Sequence, residues 1–203
     1  TLLYPCAISL FLAAPSIAAT VAIEYFYLSG RGSSSYPDST YSSGSGELND
    51  GAAASTTWAP GKTTTLAEVD DHVGWLSTSP DLRVEIAPLQ LINSVTIWAA
   101  DSNQNAGVAL PSSIRLRTDD GFDQSFPVTD PAGAGTTVPI VISGLNLATD
   151  NIRITATQAS SWTMFTELQV DASPIPEPSS LFLSLSAGAG LLLRRRRQGT
   201  TIG

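Results

Sequence analysis

From Leu82 to Val170 the chain repeatedly alternates apolar and polar residues, and this period of two constrains its fold more than any other feature. The clearest runs are Leu82-Arg83-Val84-Glu85-Ile86, Ile114-Arg115-Leu116-Arg117, Val138-Pro139-Ile140-Val141-Ile142 and Ile152-Arg153-Ile154-Thr155-Ala156. Successive side chains of an extended backbone point to opposite faces, so each run buries one face and wets the other. Met164 to Val170 continues the pattern through Leu168, with Glu167 and Gln169 on the opposite face. Asp119-Asp120-Gly121 reads as a hairpin turn, because glycine accepts the positive φ that such a turn needs. No segment between 20 and 173 sustains a helical period. Short strands separated by Gly, Asn, Asp and Pro clusters predict an all-β fold, an antiparallel jelly-roll β-sandwich. Residues 29–60 are rich in Ser, Gly, Tyr, Asp and Thr and read as one long polar loop.

Composition narrows the function classes. Charged residues are 14% of the 203, against roughly 25% in ordinary soluble domains. The net charge of -8 argues against nucleic-acid partners, which require a basic surface. A single Cys and a single His exclude an intrachain disulfide framework, a Cys-rich zinc site and the commoner His-rich metal centres. Within residues 20–173 there are 17 acidic and six basic side chains. That surface favours solubility and divalent cations and disfavours polyanions.

The two ends read differently. Residues 1–19 carry no charge and are mostly apolar, and the run Cys6–Ala14 is shorter than the roughly 20 residues of a membrane span. With small residues at Ser16 and Ala18, this predicts a signal peptide cut near Ala18 or Ala19 by signal peptidase. The missing Met and basic n-region place the first residue inside that signal. At the other end, residues 174–203 begin with a Pro-rich extended stretch containing Pro176, Glu177 and Pro178. An apolar segment, 181–193, follows, and then Arg194, Arg195, Arg196 and Arg197. An apolar segment stopped by arginines predicts a short transmembrane helix held in the inner membrane with its basic end cytoplasmic.

The ordered Pro-Glu-Pro, apolar and Arg pieces resemble the PEP-CTERM sorting signal of exported bacterial proteins. That resemblance implies a membrane-embedded exosortase-type peptidase as partner and delivery to the cell surface or extracellular matrix. The middle of the chain resembles the galactose-binding-like jelly roll of discoidin-type and related carbohydrate-binding modules. The pieces that carry this likeness are Glu47-Leu48-Asn49-Asp50-Gly51, Trp58 and Val73-Gly74-Trp75. The strands Leu82–Ile86 and Ser94–Ala99, Pro111-Ser112-Ser113-Ile114 and the closing strand Trp162–Val170 complete it. It implies a structural Ca2+ held by the side chains of Asp50 and Glu167 with the Leu48 carbonyl. Without the resemblance, these residues read as a turn Asp and a solvated strand Glu.

Sugar-binding faces stack rings on pyranose C–H groups. Trp58, Trp162, Tyr36 and Tyr41, in or beside loops, are the candidates here, with burial for packing as the competing reading. Trp75 and Trp98 lie in strands and are expected in the core. Asp70-Asp71-His72 is expected to be a solvated loop, since adjacent side chains diverge in extended backbone. No paired carboxylates or nucleophile turn single themselves out, so catalysis is not expected. Two functions remain: binding of extracellular polysaccharide, or a structural and adhesive surface role without a sugar pocket.

Overall fold

The computed structural model describes residues 18–54, 58, 72–131 and 135–175. The chain divides at Ser173/Pro174 into two units, and every strand among the described residues belongs to the first. The expected signal peptide lies almost wholly outside the described residues, and so does the sorting signal from Pro176 onward.

Eight strands join one antiparallel hydrogen-bonded network: β1 (Ala19–Val21), β2 (Glu24–Tyr27), β3 (Val73–Leu76), β4 (Asp81–Asp101), β5 (Ser113–Arg117), β6 (Asp123–Pro127), β7 (Thr136–Thr157) and β8 (Trp162–Ser173). Its backbone is a ribbon formed by β4 and β7, which pair from Asp81↔Thr155 to Asp101↔Thr136. The two halves of this ribbon have different neighbours. The Asp81–Glu85 half carries β2 on one side, and on the other its β7 partner continues into β5 and β6. The Leu91–Asp101 half carries β8, whose far edge takes β1 and β3. Only four residues separate Thr157 from Trp162. Both ends of the ribbon therefore meet at one end of the molecule, and the ribbon folds over near residues 86–91 into two layers.

The alternation read from the sequence decides what lies between them. Leu82, Val84, Ile86, Ile114, Leu116, Ile152 and Ile154 from one layer meet Val95, Ile97, Phe165, Leu168 and Val170 from the other. The phase has to change along β4, because Leu82, Val84, Ile86 and Ile92 share a parity that Val95, Ile97 and Ala99 do not. A bulge between Ile92 and Ser94 supplies the extra residue, Asn93. Its side chain donates to the Leu91 carbonyl at 3.2 Å and to the Ser173 hydroxyl at 3.2 Å. A second bulge lies opposite Trp98 and Ala99: Trp98 pairs with Glu167 and Ala99 with Phe165, leaving Thr166 as the extra residue. Phe165 and Leu168 can then both face the core.

The hairpin forms as expected between β5 and β6, with Gly121 at φ 101°. Trp75 is in the core. Trp98 is not, because it alternates with the inward Ile97 and Ala99 and lies half-buried on the outer face. His72 is buried rather than solvated, at 4% exposure, while Asp70 and Asp71 lie outside the described residues.

Candidate functional site

The loop end of the sandwich gathers three of the four candidate rings. Tyr36 stands perpendicular to Trp58 at 6.0 Å and to Trp162 at 5.4 Å between ring centroids. The Trp58 indole N–H donates to the Tyr36 hydroxyl at 2.7 Å. All three rings are half-buried, and they rest on the buried Ala100, Val108 and Met164. Glycine makes this seating possible: a Cβ on Gly74 would lie 3.0 Å from that of Tyr36, and the Gly74 N–H donates to the Tyr36 carbonyl at 3.0 Å. The loop 102–107 packs alongside. The Ser102 hydroxyl donates to the Trp58 carbonyl, and Gly107 abuts Ser161, next to Trp162. At its tip Asn103, Gln104 and Asn105 are exposed in a row. These carboxamides sit in a loop whose sequence carries no motif, so only the fold reveals their nearness to the rings.

Tyr41 does not join this group. It packs against Tyr25 and Tyr27, with the Arg31 guanidinium 4.5 Å over its ring.

That second aromatic group anchors the long polar loop. Asp38, 4% exposed, accepts from the Tyr25 hydroxyl and, at 2.5 Å, from the Tyr27 hydroxyl. It also accepts from the Glu47 N–H at 3.3 Å. The Leu48 N–H donates to the Tyr25 oxygen at 3.3 Å. Burial first, and then the Asp38 carboxylate, push both phenols well above their ordinary range. These bonds position the 3-10 helix Glu47–Asn49, in which Leu48 is fully buried.

The turn after that helix reaches β8. Glu167 points away from the core, on the same face as Trp98, yet is only 2% exposed. The Gly51 N–H donates to Glu167 Oε2 at 3.3 Å, which brings the Asp50 carboxylate close enough to repel that of Glu167. Burial, then the Asp50 charge, raise the Glu167 carboxyl to about 8, with the Gly51 N–H opposing. The structure thus brings Asp50 and Glu167 together, 117 positions apart in sequence, with Leu48 two residues before Asp50. Among the described residues no three His, Cys, Asp or Glu side chains cluster as a metal site would need them to without backbone donors, and no helix is long and apolar enough to cross a membrane.

The strands and the core between them define an antiparallel β-sandwich. No family model matches the chain, and no curated protein matches it either. Among solved structures it is similar to the lectin-binding domain of a Lectinolysin mutant complexed with Lewis b. The identity is 8%, the TM-score 0.51, and the match covers 78% of this chain and 99% of that one. This likeness establishes the fold. Also matched are the family 32 carbohydrate-binding module of C. perfringens NanJ in complex with galactose and a fucolectin from striped bass serum. The first has 15% identity, TM-score 0.47 and coverage of 76% and 99%. The second has 14% identity, TM-score 0.47 and coverage of 79% and 50%.

Proposed function

We propose that the protein is an exported, non-catalytic β-sandwich that binds extracellular carbohydrate through its loop end. The observation that carries this reading is the half-buried cluster of Trp58, Trp162 and Tyr36 beside the exposed Asn103, Gln104 and Asn105. Rings offer faces for the C–H groups of a pyranose, and carboxamides both donate to and accept from hydroxyls. The acidic surface selects against polyanions, so the ligand class is a neutral glycan. The neighbouring folds, described as lectins or carbohydrate-binding modules, support the same reading.

Calcium belongs to this proposal as a structural ion. The buried Glu167 carboxylate and the exposed Asp50 carboxylate beside it repel unless a proton or a cation lies between them, and the pair fits a hard cation on that ground. Asp50 and Glu167 would hold it, with the Leu48 carbonyl. Bound calcium would neutralise the pair and so tie the 47–54 turn to β8. Export, exosortase sorting through Pro176-Glu177-Pro178 and Arg194–Arg197, and release at the cell surface complete the proposal on the sequence features alone.

The test is a glycan array probed with the full chain, followed by calorimetry on its best neutral hit. Trp58→Ala and Trp162→Ala should each weaken binding at least tenfold. The Trp58–Tyr36 hydrogen bond favours a second reading in which the rings merely pack. An array without a hit, or retention unaffected by both substitutions, would select that structural and adhesive role.

A further inference from the structure

The layer built on the Asp81–Glu85 half of the ribbon turns a basic face outward. Leu82, Ile154 and Leu116 point into the core, so the residues next to them, Arg83, Arg153 and Arg117, point away from it. The register sets these three side by side on β4, β7 and β5, as Arg83↔Arg153 and Arg153↔Arg117. With Arg115, two positions along β5, they are four of the six basic side chains between residues 20 and 173. Like charges directly opposite each other across strands are destabilising, so the row carries a cost. Three of the four arginines have a carboxylate to offset it. Arg83 Nε lies 3.1 Å from Glu85, Arg115 Nε donates to Asp123 at 2.7 Å, and Arg153 Nε donates to Asp81 at 2.8 Å. Arg83 also lines a cleft with Asp119 and Asp150. Arg117 has no ion pair among the described residues. Its Nη2 donates to the Thr155 hydroxyl at 2.9 Å, and its enclosed Nε meets no acceptor. Asp123 stands opposite Arg117, but both its oxygens accept from Arg115.

We propose that Arg117 and Arg153 together seat the carboxylate of an acidic sugar residue, at a site on this sheet face that does not depend on the loop-end rings. Three arginines, Arg115, Arg117 and Arg153, stand here against two carboxylates, Asp81 and Asp123, which leaves room for one negative charge. A carboxylate carries that charge and is planar, as the guanidinium fork is. Arg153 and Arg115 each spend Nε and Nη2 on their own partner, which leaves Nη1 of each for a further acceptor. Their side chains are 44% and 46% exposed, so a ligand reaches them from solvent. The outward positions around the pair are Thr155, Ser125 and Asp123, all polar. A protein partner would lack the apolar anchors that hold such interfaces together, whereas a hydroxyl-rich ligand suits these side chains. The face is thus the local exception to the acidic balance that calls for a neutral ligand at the loop end.

The test is calorimetric titration of trigalacturonate, its methyl ester and triglutamate into the full chain, with circular dichroism to check the fold of each variant. Trigalacturonate should bind, and more weakly as salt is raised. The ester should bind at least tenfold more weakly, since it keeps the rings and loses the charge. Arg117→Gln should weaken trigalacturonate at least tenfold. Arg117→Lys keeps the charge without the fork and should weaken it at least threefold. Wild-type affinity in either variant would overturn the site, and so would an ester that binds as tightly as the acid. Triglutamate binding as tightly as trigalacturonate would assign the face to an acidic peptide and overturn the sugar. Trigalacturonate binding lost in Trp58→Ala and kept in Arg117→Gln would place the anion at the loop end, removing this site and leaving that one.

Discussion

Replacing Glu167 by Gln should reverse a stability order when calcium is added. The folded-state carboxyl of Glu167 is raised from 4.5 to about 8, so between those values the folded form binds a proton that the unfolded form has released. Stability therefore falls as pH rises across that window. Below about pH 4.5 both forms are protonated and the penalty vanishes. Above it the penalty grows by about 1.4 kcal/mol per pH unit and levels off near pH 8. At pH 7 it amounts to about 3 kcal/mol, or roughly 6–12 °C of melting temperature for a domain of this size. Glutamine keeps the shape and can still accept from the Gly51 N–H, but it never carries the charge. In chelator at pH 7, Glu167→Gln should melt above the wild type, and at pH 4 the two should coincide. Calcium at roughly 1,000 times its dissociation constant adds about 4.1 kcal/mol to the wild type, more than that penalty, while the variant gains nothing at this pair. The assay is thermal melting of both proteins at pH 4, 7 and 8, with chelator and with calcium. A variant that melts below the wild type in chelator at pH 7, or two proteins with the same pH slope, would refute this reasoning.

Tyr25→Phe removes a buried donor to Asp38 and the acceptor for the Leu48 N–H, and should cost about 1–3 kcal/mol in urea denaturation. Gly46→Ala should destabilise to a similar degree, about 1–3 kcal/mol. Its Cβ would press on the Tyr25 hydroxyl and lie 2.8 and 2.9 Å from the Asp38 carboxylate oxygens, and a lower urea midpoint would register it. If the charge block stalls translocation as proposed, deleting Arg194–Arg197 should leave the product secreted without membrane arrest. Fractionation identical to that of the full chain would contradict this.

Most strands are legible in the sequence because their two faces differ in polarity. Leu82 to Ile86, Ile114 to Arg117 and Ile152 to Ala156 announce themselves in this way. β2 does not, since Tyr25, Phe26 and Tyr27 are aromatic on both faces. The continuity of β4 is hidden too. The bulge at Asn93 shifts the phase, so one strand reads as two. Trp98 is large and apolar and so is expected inside, yet the alternation of its own neighbours turns it outward. Glu167 shows the converse limit: its polar face is legible, but its burial depends on a turn from 117 positions away laid over it. The same holds for Tyr41, whose partners come from β2.

The short strand β1 pairs Ala19 with Ala172 and Val21 with Val170, so among the described residues the first strand joins the last. Until β8 has been made, the Leu91–Asp101 half of the ribbon lacks its neighbour, and β1 and β3 have nothing to attach to. Closing a chain segment of about 150 residues costs roughly 4 kcal/mol of entropy, and all-β topologies built on such distant pairs fold on the slow, millisecond-to-second scale. Vectorial synthesis thus leaves the nascent chain without a finished layer until its C-terminal strand is free.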